Sequence, residues 1–231
     1  MRKKPRVVFF DIGQTLVTGA EQSPPKLLCS RLHTDPAHAA AVGHLLMTHE
    51  AEDPVSLVQP LCDILPGVSR ELAAQEIQGL WSEQLSSARE IDGAGSVLRS
   101  LGEQGIRLGV ISNIWHPFYQ GLSNNHSELV KRLDYVVLSY RTGFVKPSLE
   151  LYEEALSKCG ESPEDCWMVG DTYELDVEPA MSVGMHAVWV LRRPDKEKSS
   201  LVQVLRGEKR MPDWVTADLL EVQHFFSRKE G

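Results

Sequence analysis

Val7-Val-Phe-Phe-Asp-Ile-Gly-Gln-Thr-Leu16 is an apolar run of four residues that stops abruptly on an acid. A continuous apolar run of this length, without in–out alternation, suits a strand buried on both faces of a parallel sheet. Similar runs recur at Leu108–Ile111, Tyr135–Leu138, Trp167–Val169 and Ala187–Leu191. Helix-period stretches separate the later ones: Leu151, Tyr152, Ala155, Leu156 and Cys159 share one helical face, and Gly160 supplies a stop. Strands alternating with helices predict an α/β layered fold around a parallel sheet.

The segment from Thr18 to Asp92 has a different character. It shows no convincing strand run and reads as helices over 24–33, 36–49, 54–65 and 69–88, each following a Pro, Asp or Ser able to start one. An all-helical insertion, residues 18–92, is therefore expected inside a core made of residues 1–17 and 93–231. The insertion carries eleven acidic side chains against four basic ones, Lys26, Arg31, Arg70 and Arg89. Its histidines, His33, His38, His44 and His49, are irregularly spaced and read as helix-surface residues. Arg192 to Arg210 is locally basic and reads as a solvated excursion before a last element at 215–220.

Across all 231 residues the net charge is −8, which argues against nucleic acid or an anionic membrane as partner. The basic start at Met1–Arg6 is followed by too short an apolar run for a secretory signal, which needs roughly 7–15 residues. Cys29, Cys62, Cys159 and Cys166 form no CxxC pair and no zinc spacing, so free thiols in a reducing cytoplasm are expected.

The chemistry lies where polar residues follow the apolar runs. Asp11 follows the first, Ser112 and Asn113 the second, Gly170 and Asp171 the fourth. In a parallel sheet all of these emerge at the carboxyl ends of strands, where open α/β sheets bind ligands. Asp11, Asp171 and Asp176 would then crowd one crevice, and carboxylates that close repel unless a cation lies among them. Mg²⁺ is a natural occupant, and Lys146 brings a compensating charge.

These residues carry a family resemblance. Phe9-Phe-Asp-Ile-Gly-Gln-Thr-Leu16 resembles motif I of the haloacid dehalogenase-like hydrolase superfamily, and Val110-Ile-Ser-Asn113 resembles motif II. Gly143-Phe-Val-Lys-Pro147 resembles motif III; Val169-Gly-Asp-Thr-Tyr-Glu-Leu-Asp176 resembles motif IV. The resemblance implies a Rossmann-like core with helices on both faces, the 18–92 insertion being its helical cap. It also implies a Mg²⁺-dependent hydrolase, most readily a phosphatase for a small phosphorylated metabolite. Asp11 would be the nucleophile, forming an aspartyl-phosphate, with Lys146 as its catalytic partner. Asp11, the Gly13 carbonyl and Asp171 would hold the metal. Ser112, Asn113 and Lys146 would bind phosphoryl oxygens, with Thr15 and Asp176 in support. Trp115 and His116, just behind motif II, are candidates for the pocket wall.

Gly13 departs from the pattern. Phosphatases of this family usually carry an acid–base Asp there, a group generally worth about 10²–10⁴ in rate. Two alternatives stay open: a 2-haloacid dehalogenase-type hydrolase, and, because of Gly13, a catalytically weak member serving as a binding or regulatory module. The first is opposed by Gly13, where those enzymes carry Tyr, and by Asp171, which they lack.

Overall fold

Neighbouring side chains of a strand face opposite ways, so a run such as Val7–Phe10 demands apolar cover on both sides of its sheet. The computed structural model describes residues 4–227 and meets that demand; residues 1–3 and 228–231, the outer ends of the expected core, lie outside this range. The strands are β1 (Val7–Phe10), β2 (Val17–Thr18), β3 (Arg89–Glu90), β4 (Arg107–Ser112), β5 (Tyr135–Leu138), β6 (Cys166–Gly170), β7 (His186–Val190) and β8 (Trp214–Thr216). Six of them form one sheet in the order β5-β4-β1-β6-β7-β8, every pair parallel.

The two faces divide the strand residues between them. Val8, Phe10, Leu108, Val110, Trp167 and Val169 pack with Val97, Leu98 and Leu101 of the helix Ala94–Glu103. Val7, Phe9, Ile111, Val137 and Met168 pack with Leu151, Tyr152 and Ala155 of the helix Leu149–Cys159. The result is a Rossmann-like α/β sandwich with helices on both faces, as expected. After β1 the chain runs outward through β4 and β5, then returns to the other side of β1 for β6. The strand order thus reverses at β1, and the crevice beyond the carboxyl ends of β1, β4 and β6 is where such sheets place their ligands.

Residues 24–84 form α1 (Pro24–Arg31), α2 (Ala39–Thr48), α3 (Val58–Ile64) and α4 (Arg70–Gln84), with short 3₁₀ turns leading into α2 and α3. Asp35 accepts from the backbone N–H of Ala37, and Ser69 caps α4 by accepting from Leu72 N–H. Leu28, Val42, Leu46, Leu57, Leu61, Ile77, Leu80 and Trp81 bury one another in a separate apolar cluster.

Two expectations need correction. The ends of this helical segment are not helical: β2 and β3 pair antiparallel, Val17 with Glu90 and Thr18 with Arg89, tying its entry to its exit. Runs of two residues are too short to leave a period in the sequence. The stretch from Arg192 to Arg210 is also not a solvated excursion. It contains the helix Lys198–Leu205, the buried Glu197, and ion pairs from Arg193 and Lys209 back to the motif IV segment. The last expected element is the short strand β8. All four cysteines are free thiols, and among the described residues no helix is long and apolar enough to cross a membrane.

Candidate active site at the carboxyl edge of the sheet

Asp11 is the first residue beyond β1, and its backbone N–H still donates to Val169 O, 2.9 Å away, so the sheet itself fixes the position. The following loop folds tightly onto itself. Leu16 and Val17 N–H both donate to Ile12 O, and Gln14 N–H donates to Val17 O with Gln14 at φ 63°. Thr15 is fully buried in this loop, with its hydroxyl unpartnered among the described residues.

Ser112 ends β4 and donates its hydroxyl to Asp11 Oδ1 at 3.1 Å. Asn113 next to it does something the sequence did not reveal. Its side-chain oxygen accepts from Lys146 N–H at 2.7 Å and its amide donates to Lys146 O at 3.2 Å. The expected phosphate ligand thus spends its side chain gripping the Lys146 backbone.

Lys146 Nζ lies 2.6 Å from Asp11 Oδ1 and 2.6 Å from Asp176 Oδ1. Asp176 is held in turn by Thr172 N–H, which donates to its Oδ2 at 2.9 Å across the π-helical turn Tyr173–Val177. Gly170 makes this possible: a Cβ there would lie 2.3 Å from the Asp176 Cβ, so only glycine lets Asp176 pack against the end of β6. Carboxylate oxygens of Asp11, Asp171 and Asp176 lie within 4.8 Å of one another, and all three residues are buried.

Burial raises the Asp11 carboxyl to about 7, with Asp176 and Asp171 adding to the rise and Lys146 opposing it. Asp171 is raised by burial and by Asp176, against the pull of Arg193. Burial pushes the Lys146 ammonium down, but Asp11 and Asp176 outweigh that and hold it above its ordinary value.

Sequence reasoning missed Arg193. Its Nε donates to Asp171 Oδ2 at 2.9 Å and a terminal nitrogen donates to the same oxygen. Within a basic, polar stretch it carried no signal of its own; only its position just past an apolar run offered a hint. Trp115, by contrast, is buried in the apolar cluster of the helical segment, meets Trp81 edge-on and donates to Gln84. It joins core to helices rather than lining an open pocket. His116 is half-buried and lies between Trp81 and Tyr140. At Gly13 a Cβ would meet only Asp11 Oδ2, at 3.9 Å, so the position has room for a side chain.

A family of haloacid dehalogenase-like hydrolases matches residues 5–184, and the chain belongs to it. A glyceraldehyde 3-phosphate phosphatase of Methanothermobacter thermautotrophicus is 39% identical over 101 residues, which is 41% of this chain and 42% of that protein. A phosphoserine phosphatase of Thermus thermophilus is 31% identical over 131 residues, or 56% of this chain and 48% of that protein. The chain thus spans less than half the length of these relatives. The solved structure of a haloacid dehalogenase-type phosphatase from Thermococcus onnurineus superposes over 96% of this chain and 98% of its own, with TM-score 0.61 at 22% identity. At that identity the likeness is one of fold.

Proposed function

We infer that this chain is a Mg²⁺-dependent phosphatase that hydrolyses a small phosphorylated metabolite in the cytoplasm through an aspartyl-phosphate on Asp11. One observation carries the reading: three buried aspartates converge on one point with a single buried lysine braced between two of them. The phosphatase names of the partial relatives support it.

The residues fit a hard divalent cation. The donors are all oxygens, and among the described residues the three carboxylates are paired with the Lys146 ammonium and the Arg193 guanidinium, leaving negative charge in excess. Asp11, Asp171 and the Gly13 carbonyl would hold the ion. When bound, Mg²⁺ supplies positive charge against the phosphoryl oxygens.

Asp11 attacks phosphorus with one carboxylate oxygen, and the bond from phosphorus to the leaving oxygen breaks. Ser112 and Lys146, which donate to Asp11 Oδ1 in the free site, exchange that partner for the phosphoryl oxygens, a short move because both donors already stand beside the nucleophile. Asp176 keeps Lys146 extended into the site, and Asn113 holds its backbone, so Asn113 acts by positioning rather than by touching phosphate. Water then attacks phosphorus, releasing phosphate and regenerating the Asp11 carboxylate. Gly13 supplies no proton, so the leaving group departs as an oxyanion. The helices of residues 18–92 act as a cap over this crevice, a reading supported by their own apolar cluster and by the β2–β3 ribbon at their base.

The test is hydrolysis of 4-nitrophenyl phosphate, followed with Mg²⁺ and with excess chelator. Turnover that needs the ion is the expected result; undiminished turnover in chelator would overturn the Mg²⁺ part of the reading, and release of halide from a 2-haloacid with no phosphate hydrolysis would favour the dehalogenase-type alternative. Gly13 also favours a second reading, a member that binds but scarcely turns over, and the absence of hydrolysis alongside tight Mg²⁺-dependent phosphate binding would select it.

A further inference from the structure

Asp171 is the most enclosed of the candidate metal ligands, its side chain 3% exposed, yet it is fastened from outside the four motifs. Two nitrogens of the Arg193 guanidinium converge on its Oδ2. Thr172 Oγ1 lies 3.4 Å from the other oxygen, and Trp189 Nε1 donates to the Asp171 carbonyl at 3.1 Å.

Arg193 is itself anchored. Leu191 N–H pairs with Thr216 O at the sheet edge, and Lys196 and Glu197 N–H close a turn on the Arg193 carbonyl. The Glu197 carboxylate, buried a turn later, accepts from Tyr173 N–H at 2.9 Å. The loop after β7 is thereby tied to the motif IV turn at two points, Arg193 to Asp171 and Glu197 to Tyr173. A surface ion pair would need neither the second tie nor a buried carboxylate.

We propose that Arg193 is a positioning residue for the divalent cation: it holds Asp171 by one carboxylate oxygen so that the other is presented to the ion. The proposal rests on the Mg²⁺ reading above. A carboxylate with a free side chain can rotate or bind through both oxygens, whereas one pinned through Oδ2 has a fixed direction. Groups that orient metal ligands in this way typically contribute 10–100-fold to metal affinity. The forked guanidinium matters as well as its charge, because two donors set an orientation that a single ammonium cannot.

Arg193 also brings positive charge close to the incoming cation, which would weaken binding if charge alone counted. The two effects have opposite signs, and Mg²⁺ affinity measured without substrate separates them. Isothermal titration of Mg²⁺ into the full chain should show Arg193→Gln binding about 10-fold or more weaker than wild type. Arg193→Lys, which keeps the charge and loses the fork, should fall between the two. Circular dichroism in chelator establishes that each variant is folded; if Arg193→Gln is not, Arg193→Lys alone decides, by weaker binding or by none. Equal or tighter binding in a folded variant would overturn the proposal and make Arg193 a mere counter-charge. Failure of the wild type to bind Mg²⁺ would instead defeat the metal reading itself, and this proposal with it.

Discussion

Lys146 Nζ stands 2.6 Å from Asp11 Oδ1, with the lysine side chain 2% and the aspartate side chain 12% exposed. The same ammonium is 2.6 Å from Asp176, so one buried cation serves two buried carboxylates. Removing one partner of a buried pair leaves an uncompensated charge, typically at a cost of ~3–5 kcal/mol. Lys146→Met should therefore lower unfolding free energy by about that amount in chelator, and abolish turnover. Urea denaturation checks the first and phosphatase assay the second. A variant as stable as wild type would mean that the carboxylates are not held charged by Lys146.

Gly170 controls the same group from below. A Cβ at this position would come 2.3 Å from the Asp176 Cβ and Cγ, and β6 cannot retreat because it pairs with β1 and β7. Gly170→Ala should push Asp176 away from Lys146, costing ~1–3 kcal/mol in stability as overpacked cores do. A fall in kcat/KM of at least about 10-fold, or ~1.4 kcal/mol, should accompany it. Wild-type kinetics in Gly170→Ala would show that Asp176 does not position Lys146.

Gly13 sets the demand on the leaving group. Without an acid there, departure should depend steeply on leaving-group pKa, with aryl and acyl phosphates much faster than simple alkyl phosphates. The site has room for a carboxylate, since a Cβ would meet only Asp11 Oδ2 at 3.9 Å. Gly13→Asp should help alkyl substrates by up to ~10²-fold and aryl ones much less. Single-turnover rates across a leaving-group series measure this. A flat dependence in the wild type would mean that another residue already donates the proton, His33 or His49 being the first to test.

Much of this site is legible in the sequence because its residues end apolar runs. Asp11, Ser112 and Asp171 take their places from the register of β1, β4 and β6, and a buried parallel strand announces itself as an unbroken apolar run. The helices of residues 24–84 are readable in part from their starts: Ser69 caps α4 as its residue type suggests, and Asp35 caps the 3₁₀ turn that leads into α2. What escapes is what depends on contacts between distant segments. Arg193 reaches Asp171 across 22 positions, and nothing local separates it from Arg192. Asn113 was legible as a strand-end polar residue, yet its hydrogen bonds to the Lys146 backbone follow from where another loop comes to rest. The β2–β3 ribbon was hidden because two residues on each side carry no period.

The most direct measurement is a chemical trap of the covalent intermediate. An aspartyl-phosphate is an acyl phosphate, and borohydride reduces it to homoserine, which peptide mass spectrometry locates. After rapid mixing with an aryl phosphate and Mg²⁺, the peptide containing Val7–Leu16 should carry homoserine at position 11. Asp11→Asn should show neither the conversion nor turnover, while retaining its fold and most of its phosphate affinity. Steady turnover with no trapped residue at position 11, or an Asp11→Asn protein that keeps more than a small fraction of the wild-type rate, would contradict Asp11 as the nucleophile.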